Sequence, residues 1–345
     1  MDYVDYIVKE TKELLAVPGP SGFTGDAAAH LMKKLAEMGY EPVQTRKGAV
    51  LVELGGEKDA VLVSAHIDTL GAMVAEIKAN GRLRLTNIGG LNANNTETEN
   101  CMVFTREGRT YEATFQLANA SVHVNSAYDE TARNFDTMEL VLDEKVKTKE
   151  EVEKLGIMAG DFVCFEPRTR VTESGYIKSR FLDDKLSSGI LLGYARYLKE
   201  EKVVPGRKVY LMFTSYEEVG HGGAAPVPED TVEFLSVDMG CVGDGLGCDE
   251  TMVSICAKDS MGPYDYSVVS NLIRVAKEKK LAFAVDVYPH YGSDADAALK
   301  AGHDVKHGLI GPGVYASHGY ERSHIEGVRN TFELLRGYLE GLNCN

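Results

Sequence analysis

The sequence predicts an α/β fold with a mainly parallel central sheet, interrupted by a smaller β-rich domain. Three observations support this prediction. Helical and strand patterns alternate in the first and last parts of the chain, the middle part consists of short β-like segments, and 345 residues are enough for two domains.

Two helices and two strands are predicted for the first part of the chain. Apolar residues recur with helical spacing over residues 3–17 and 24–39, and the breaker run PGPSG separates these segments. The segments AVLVEL (49–54) and AVLVSAHI (60–67) are typical of strands and are joined by the turn GGEKD.

The pattern changes from about residue 73. Segments such as CMVFTREGRTYEATFQL and DFVCFEPRTRVTESGYIKS are β-like and are separated by Gly and Asn turns, and TKEEVEKLGIMAG supplies one short helix. We therefore assign residues 73–172 to a β-rich, barrel-like insertion domain. Residues 1–72 and 173–345 together form the main domain.

Helices and strands alternate again after Phe181. The predicted helices are KLSSGILLGYARYLKEEK, PYDYSVVSNLIRVAKEKK, SDADAALKAG and EGVRNTFELLRGYLEGL, and the predicted strands are RKVYLMFTSY, TVEFLSVDMG and LAFAVDVYP. This alternation implies a mainly parallel sheet covered by helices.

Composition excludes several classes of function. The net charge of -15 argues against nucleic-acid binding, because phosphates would be repelled. No apolar run approaches the roughly 18 residues of a membrane span, and the N-terminal MDYVDYIVKETKELL is an acidic amphipathic helix rather than a signal peptide. The six cysteines are scattered, as in a reduced cytoplasmic protein. We therefore expect a cytoplasmic location and neither nucleic-acid nor membrane partners.

Polar residues gather at the predicted strand ends, where open α/β sheets bind ligands. His66 and Asp68 are two positions apart and so project from one face. The other candidates are Asp183, Asp184, Glu217, Glu218, Asp238, His318 and His324. Histidines and carboxylates form a ligand set suited to Zn, Co or Mn.

Each candidate also has a purely structural explanation. Asp183 or Asp184 suits the N-cap of the following helix, and Glu217 and Glu218 could be loop charges. The recurrence of the same residue types at several strand ends favours a metal site. Because Glu217 and Glu218 are adjacent, one can bind metal while the other acts as a general base. A glycosidase needs two carboxyls about 5 to 9 Å apart across a sugar, which adjacent glutamates suit poorly.

The motifs resemble, in order, those of the tetrahedral (TET) or glutamyl aminopeptidase family of dinuclear metallo-aminopeptidases, which includes relatives named cellulases. The matching segments are VPGPSG, AHIDTLGAMV, LDDK, EEVG, VDMG and YGSDADAAL, followed by a late histidine. The resemblance covers nearly the whole chain. It implies a three-layer α/β/α metallopeptidase domain and a dimerisation domain in the insertion. It further implies dimers that assemble into tetrahedral dodecamers and act on short peptides.

The resemblance also implies roles for single residues. His66 and Asp238 would bind one metal, Glu218 and the late histidine would bind a second, and Asp183 would bridge the two. Glu217 would be the general base. The implied cofactors are two divalent cations, Zn or Co foremost and Mn as a further option.

Two further residues complete the implied centre. Asp68 would orient His66 from behind. Counting back from the last helix favours His318 over His324 as the late ligand.

Three departures from the family pattern concern substrate preference. Thr69 stands where many relatives carry an acidic residue, His221 follows EEVG, and the late motif reads VYASHGYERSH. We therefore regard Thr69, His221, Asp294 and His324 as candidate substrate-binding residues.

Two alternatives to an aminopeptidase stay open. One is a metal-dependent N-acyl amino acid deacylase on the same fold, and the other is a non-catalytic homologue that only assembles. The preferred N-terminal residue and the native metal are not determined by the sequence.

Overall fold

The computed structural model describes residues 2–341, which form two compact units. Unit 1 comprises the described residues of Met1–Asp68 and Arg168–Asn345, and unit 2 comprises Thr69–Pro167. The predicted insertion, 73–172, begins and ends a few residues later along the chain than unit 2.

The helices are α1 (Tyr3–Leu15), α2 (Gly25–Glu37), α3 (Lys149–Lys154), α4 (Leu182–Glu200), α5 (Tyr266–Glu278), α6 (Asp294–Lys300) and α7 (Ile325–Gly341). The strands are β1 (Val43–Gln44), β2 (Val50–Gly55), β3 (Ala60–His66), β4 (Gly71–Ile77), β5 (Leu83–Ile88), β6 (Glu99–Phe104), β7 (Thr110–Leu117), β8 (Met138–Leu142), β9 (Phe162–Phe165), β10 (Arg170–Val171), β11 (Tyr176–Ser179), β12 (Val209–Thr214), β13 (Thr231–Val237), β14 (Gly240–Val242), β15 (Val253–Lys258), β16 (Phe283–Val287), β17 (Lys306–Tyr315) and β18 (Glu321–His324). The segments predicted as helices and strands in unit 1 adopt those conformations.

A single large sheet organises unit 1. Its strands follow the order β1-β2-β12-β3-β13-β17-β18-β11-β10, and the central strands β12, β3, β13 and β17 are parallel to one another. All seven residues of β3 are buried, as its continuous apolar sequence predicts. Helix α4 packs on β3 and α6 packs on β13. The predicted fold class is confirmed: an α/β domain with a mainly parallel sheet and a separate barrel.

Strand β17 is a part of this sheet that the sequence patterns did not predict. Its sequence, KHGLIGPGVY, contains three glycines and a proline, which are typical of loops. At Gly311 a Cβ atom would overlap the carbonyl oxygen of Asp238, and at Gly313 it would overlap that of Asp249. The glycines therefore permit close approach of neighbouring backbone rather than a turn.

Unit 2 is a closed antiparallel barrel with strand order β4-β5-β8-β7-β6-β9. Alternate residues of its strands point inward, so that Phe115, Leu85, Leu140 and Val103 are fully buried. Helix α3 lies in the same unit, and the side chain of its N-cap, Thr148, accepts a hydrogen bond from the backbone of Glu151. The barrel-like character predicted for the insertion is therefore observed.

Two predictions from composition can be compared with the described residues. Within 2–341, no helix combines the length and apolarity needed to cross a membrane. The cysteines described there (Cys101, Cys164, Cys241, Cys248 and Cys256) form no disulfide bond with one another. Cys344 and Leu342, the predicted last residue of α7, lie outside the described residues.

Candidate metal centre

Three neighbouring parallel strands deliver polar side chains to one edge of the sheet. Strand β3 ends at His66, β12 leads into a short 3-10 turn at Glu217–Val219, and β13 is followed directly by Asp238. Because β12, β3 and β13 are adjacent and parallel, these residues meet at their carboxyl ends. Tyr216 adopts a left-handed conformation (φ 68°) that turns the chain at the end of β12.

Asp183 and Asp184 reach the same place from the start of α4. Both have non-helical backbone angles, and the peptide bond between them is cis. Neither is the N-cap residue of this helix, a position that Phe181 occupies in a left-handed conformation. Instead, Asp184 Oδ2 accepts a hydrogen bond from the backbone N–H of His66 at 3.1 Å.

The hydrogen bonds of His66 leave its Nε2 facing Asp183. Its Nδ1 lies 2.8 Å from the carbonyl oxygen of Asp68, which can only accept, so Nδ1 carries the proton. Nε2 then lies 3.0 Å from Asp183 Oδ1. In the neutral imidazole both of these atoms are hydrogen-bond acceptors. Such a contact requires either a proton shared between the two atoms or a cation that binds both.

His318 approaches the other oxygen of Asp183. Its Nε2 lies 3.5 Å from Asp183 Oδ2 and 3.6 Å from Glu218 Oε2. The two oxygens of Asp183 therefore face two different imidazoles, one from β3 and one from the segment between β17 and β18. This is the geometry that a bridging carboxylate needs.

Candidate ligand atoms converge in two overlapping groups. The ligand atoms of His66, Asp183 and Glu218 lie within 4.8 Å of one another, and so do those of His66, Asp184 and Asp238. Glu218 Oε1 and Asp184 Oδ1 are buried and have no hydrogen-bond partner within the described part of the chain. Buried carboxylate oxygens without partners are costly unless a cation binds them. The residues present therefore fit divalent metal ions with nitrogen and oxygen ligands.

Burial and mutual repulsion shift the acidity of the cluster. Burial raises the pKa of Asp238 to about 7, and it raises the pKa values of Glu217 and Glu218 well above their ordinary value. Burial also opposes ionisation of Asp183, but hydrogen bonds from His318 and His66 hold its pKa below the usual range. Crowded carboxylates of this kind are typical of functional sites.

Asp68 fixes the turn that carries the two glutamates. Its carboxylate accepts the backbone N–H of Glu217 at 3.1 Å and that of Glu218 at 3.3 Å, and it also accepts the hydroxyl of Ser21. Its Oδ1 is 3.6 Å from Nδ1 of His66, farther than its own carbonyl oxygen. Asp68 thus contacts His66 mainly through the backbone and the glutamate turn through its carboxylate.

The residues predicted to bind substrate lie in surroundings that differ from one another. Thr69 is the first residue of unit 2 and donates its hydroxyl to the carbonyl of Leu70. His221 is exposed and stacks on Tyr216. Asp294, at the start of α6, is buried and accepts the hydroxyl of Thr214.

His324 is occupied away from the cluster. Its Nε2 lies 2.8 Å from the carbonyl oxygen of Ser174, and its Nδ1 accepts the N–H of Glu326 at 3.1 Å. Of the two late histidines, only His318 lies beside Asp183 and Glu218.

Sequence reasoning missed three residues that contact the cluster. Ser21 lies in the PGPSG breaker run and donates to Asp68, Tyr291 donates its hydroxyl to the carbonyl oxygen of Met239 next to Asp238, and Glu321 accepts the backbone N–H of Asp183. Ser21 and Glu321 do not follow a predicted strand, and Tyr291, two residues after the predicted strand LAFAVDVYP, is not a residue type that the search for metal ligands considered. The family-like motifs VPGPSG and YGSDADAAL, which contain Ser21 and Tyr291, were the available signals.

An open cavity of about 440 Å³ lies over the cluster. Its lining includes Asp183, Glu217, Glu218, Asp238 and His318. The loop at 290–293 and residues of α6, Lys300 among them, also line it.

Comparisons with known proteins find related aminopeptidases. A family model described as M42 glutamyl aminopeptidase matches residues 48–334. The chain is 43% identical over 331 residues to the protein called "Putative aminopeptidase YhfE" of Bacillus subtilis (strain 168), covering 95% of this chain and 96% of that one.

Solved structures show the same fold at lower identity. The TET1 peptidase of Pyrococcus horikoshii, described as able to assemble into a tetrahedron or a large octahedral shell, has a TM-score of 0.85 at 21% identity and covers 96% of this chain and 99% of that one. A Thermotoga maritima structure called an endoglucanase has a TM-score of 0.72 at 16% identity and covers 96% and 97%.

Proposed function

Because the chain belongs to the M42 glutamyl aminopeptidase family, we propose that it is a dinuclear metallo-aminopeptidase that releases N-terminal residues from short peptides. The observation that carries this proposal is the position of Asp183 between two imidazoles, next to buried glutamate and aspartate oxygens that have no hydrogen-bond partner among residues 2–341. The family match supports a peptidase, and the geometry supports a set of residues that can bind metal.

The proposed ligands divide between two positions. His66 and Asp238 would hold one cation, Glu218 and His318 the other, and Asp183 would contact both. Two divalent cations there would lower the pKa of a water molecule and polarise the scissile carbonyl. Zn or Co suits this ligand set, and Mn is compatible with it.

Glu217 is the proposed general base. Its Oε2 lies 3.7 Å from Nε2 of His66, and its side chain lines the cavity. Burial raises its pKa well above the ordinary value, which suits a group that accepts a proton and later returns it. In this role Glu217 takes the proton of the attacking water and delivers it to the leaving amine.

The acidic lining of the cavity would favour substrates with a free amino terminus. An α-ammonium group would pair with carboxylates there, whereas an acylated amine has no charge to pair. The cavity volume of about 440 Å³ lies within the range of small-ligand pockets, about 300 to 1,000 Å³, so a short peptide end can enter.

The test is hydrolysis of aminoacyl-p-nitroanilides by chelator-treated protein before and after addition of Co or Zn. We expect metal to restore activity, and we expect Glu217→Gln to lose at least about 100-fold in kcat, the lower end for a general base. The matched control is Glu229→Gln, which makes the same substitution at an exposed position.

Parallel substrates with N-acetylated residues separate the alternatives. Cleavage of N-acyl amino acids, with no cleavage of free-amine substrates, would replace the aminopeptidase by a deacylase. Two bound metals with no hydrolysis of either class would favour a non-catalytic assembling homologue.

We further propose a homo-oligomer built from dimers, with a tetrahedral dodecamer as the largest expected form. The fold shared with the Pyrococcus horikoshii peptidase supports this proposal. Light scattering on the purified protein would test it, and a monomeric mass would refute it. A cytoplasmic location is likewise proposed, supported by the lack of disulfide bonds among the described cysteines.

A further inference from the structure

Glu321 is a buried carboxylate that binds backbone rather than substrate. It is the first residue of β18 and only 2% exposed. Its Oε1 accepts the N–H of His318 at 3.0 Å, and its Oε2 accepts the N–H of Asp183 at 3.1 Å. One side chain thus holds two segments that are far apart in sequence.

Both segments contain backbone conformations that need support. Ala316 and His318 have φ values of 57° and 62°, and Phe181, two residues before Asp183, has a φ of 67°. The left-handed region is unfavourable for a residue with a Cβ atom, so such segments persist only when their surroundings hold them. A carboxylate that accepts one N–H from each segment provides that support.

The position of Glu321 is itself well fixed. Strand β18 pairs with β11 on one side, where Ser179 lies opposite Glu321. It pairs with β17 on the other side, where Tyr315 lies opposite Arg322, the residue after Glu321. The described lining of the cavity does not include Glu321, and each of its oxygens accepts a backbone N–H. Burying a carboxylate near Asp183 is costly unless hydrogen bonds compensate, and these two bonds are the compensation.

We propose that Glu321 is a positioning residue that fixes the spacing between Asp183 and His318 and thereby sets the affinity of the second divalent cation. This inference rests on the proposed function, since Asp183 and His318 are the ligands proposed for that cation. Glu321 contacts neither substrate nor metal in this role. It acts only through the backbone of the two ligand-bearing segments.

The test is titration of the chelator-treated full-length protein with Co²⁺, followed by calorimetry and by the visible absorption of bound Co²⁺. Glu321→Gln keeps the size but turns an amide group toward one of the two N–H donors. We expect one of two Co²⁺ dissociation constants to rise by about 10- to 100-fold, the usual effect of losing a residue that orients metal ligands. Glu321→Asp, which is one methylene shorter, should give a smaller rise.

Controls separate positioning from general stability. Glu326→Gln makes the same substitution at an exposed site a few residues later and should bind Co²⁺ as the wild type does. The melting temperature of each metal-free variant shows whether it is folded at the titration temperature. A role in stability alone would lower that temperature and leave both dissociation constants unchanged.

The outcomes distinguish the two proposals. Two Co²⁺ ions bound to wild type and to Glu321→Gln with equal affinities would overturn the positioning role and leave the proposed function intact. Failure of the wild type to bind Co²⁺ would instead refute the proposed dinuclear centre.

Discussion

Replacement of Asp68 by Asn tests how the glutamate turn is held. The carboxylate of Asp68 is fully buried and accepts two backbone N–H groups and one hydroxyl. An asparagine side chain keeps one acceptor oxygen, but its NH₂ group must face at least one of these donors. The variant therefore loses a charge-assisted hydrogen bond and places two donors against each other.

The expected magnitude follows from the lost bond. A hydrogen bond to a charged group contributes about 1.5 to 3 kcal/mol. If that stabilisation holds Glu217 in its reactive position, its loss lowers kcat by about 10- to 150-fold, at 1.36 kcal/mol per factor of ten. Ser21→Ala removes only the hydroxyl and leaves both backbone bonds of Asp68, so we expect a smaller loss, about fivefold, from about 1 kcal/mol.

The assay is steady-state hydrolysis of an aminoacyl-p-nitroanilide at saturating metal. Saturation separates the geometry of Glu217 from any change in metal affinity. We expect kcat to fall with little change in KM, because Glu217 acts in the chemical step. Asp244→Asn, an exposed position, is the matched control.

Two results would refute this reasoning. A wild-type kcat for Asp68→Asn at saturating metal would mean that the turn needs no support from this carboxylate. A loss in Ser21→Ala as large as that in Asp68→Asn would mean that the hydroxyl, rather than the backbone contacts, determines the position of Asp68.

Two further predictions concern stability. Gly311→Ala places a Cβ atom on the carbonyl oxygen of Asp238, so urea denaturation should show that the free energy of unfolding falls by about 3 kcal/mol or more. The control Gly243→Ala, at a position with open space around it, should leave that free energy unchanged. Equal stability of the two variants would contradict the packing around Gly311. Burial and a hydrogen bond with Asp259 raise the pKa of Asp296 from 3.8 to about 7. The folded protein therefore retains a proton that the unfolded chain releases near pH 4. Because of this difference, the contribution of Asp296 to the free energy of unfolding falls as pH rises from about 4 to 7. Asp296→Asn should therefore reduce the decline in stability of the metal-free protein between about pH 5 and pH 8, measured by urea midpoints; an unchanged pH profile would exclude this contribution.

Strands buried on both faces were readable from sequence because burial leaves a continuous apolar run. The segment 60–67 is such a run, and β3 (Ala60–His66) is buried throughout. The strand-end rule then indicated His66, Glu217, Glu218 and Asp238, which the structure brings to one edge. Asp183 lies at the start of a helix rather than directly at a strand end, so the strand-end rule alone did not assign its role. The family resemblance was also needed for that assignment.

Other features depend on tertiary contacts that leave no local pattern. Strand β17 contains Gly311 because the backbone of Asp238 passes too close for a side chain, yet glycine in isolation indicates a loop. The carboxylate of Asp68 binds the glutamate turn because Tyr216 adopts a left-handed conformation, which its residue type does not predict. Glu321 was missed because its partners are backbone N–H groups of residues that carry no signal for such a contact.

The central place of β3 has a consequence for biosynthesis. Its two neighbours, β12 and β13, emerge from the ribosome well after it, since about 140 residues separate His66 from the start of β12. At about 5 to 20 residues per second, a strand with no polar face stays unpaired for roughly 7 to 30 seconds in each new chain. Unpaired apolar strands associate readily, so during this interval β3 exposes nascent chains to association with one another.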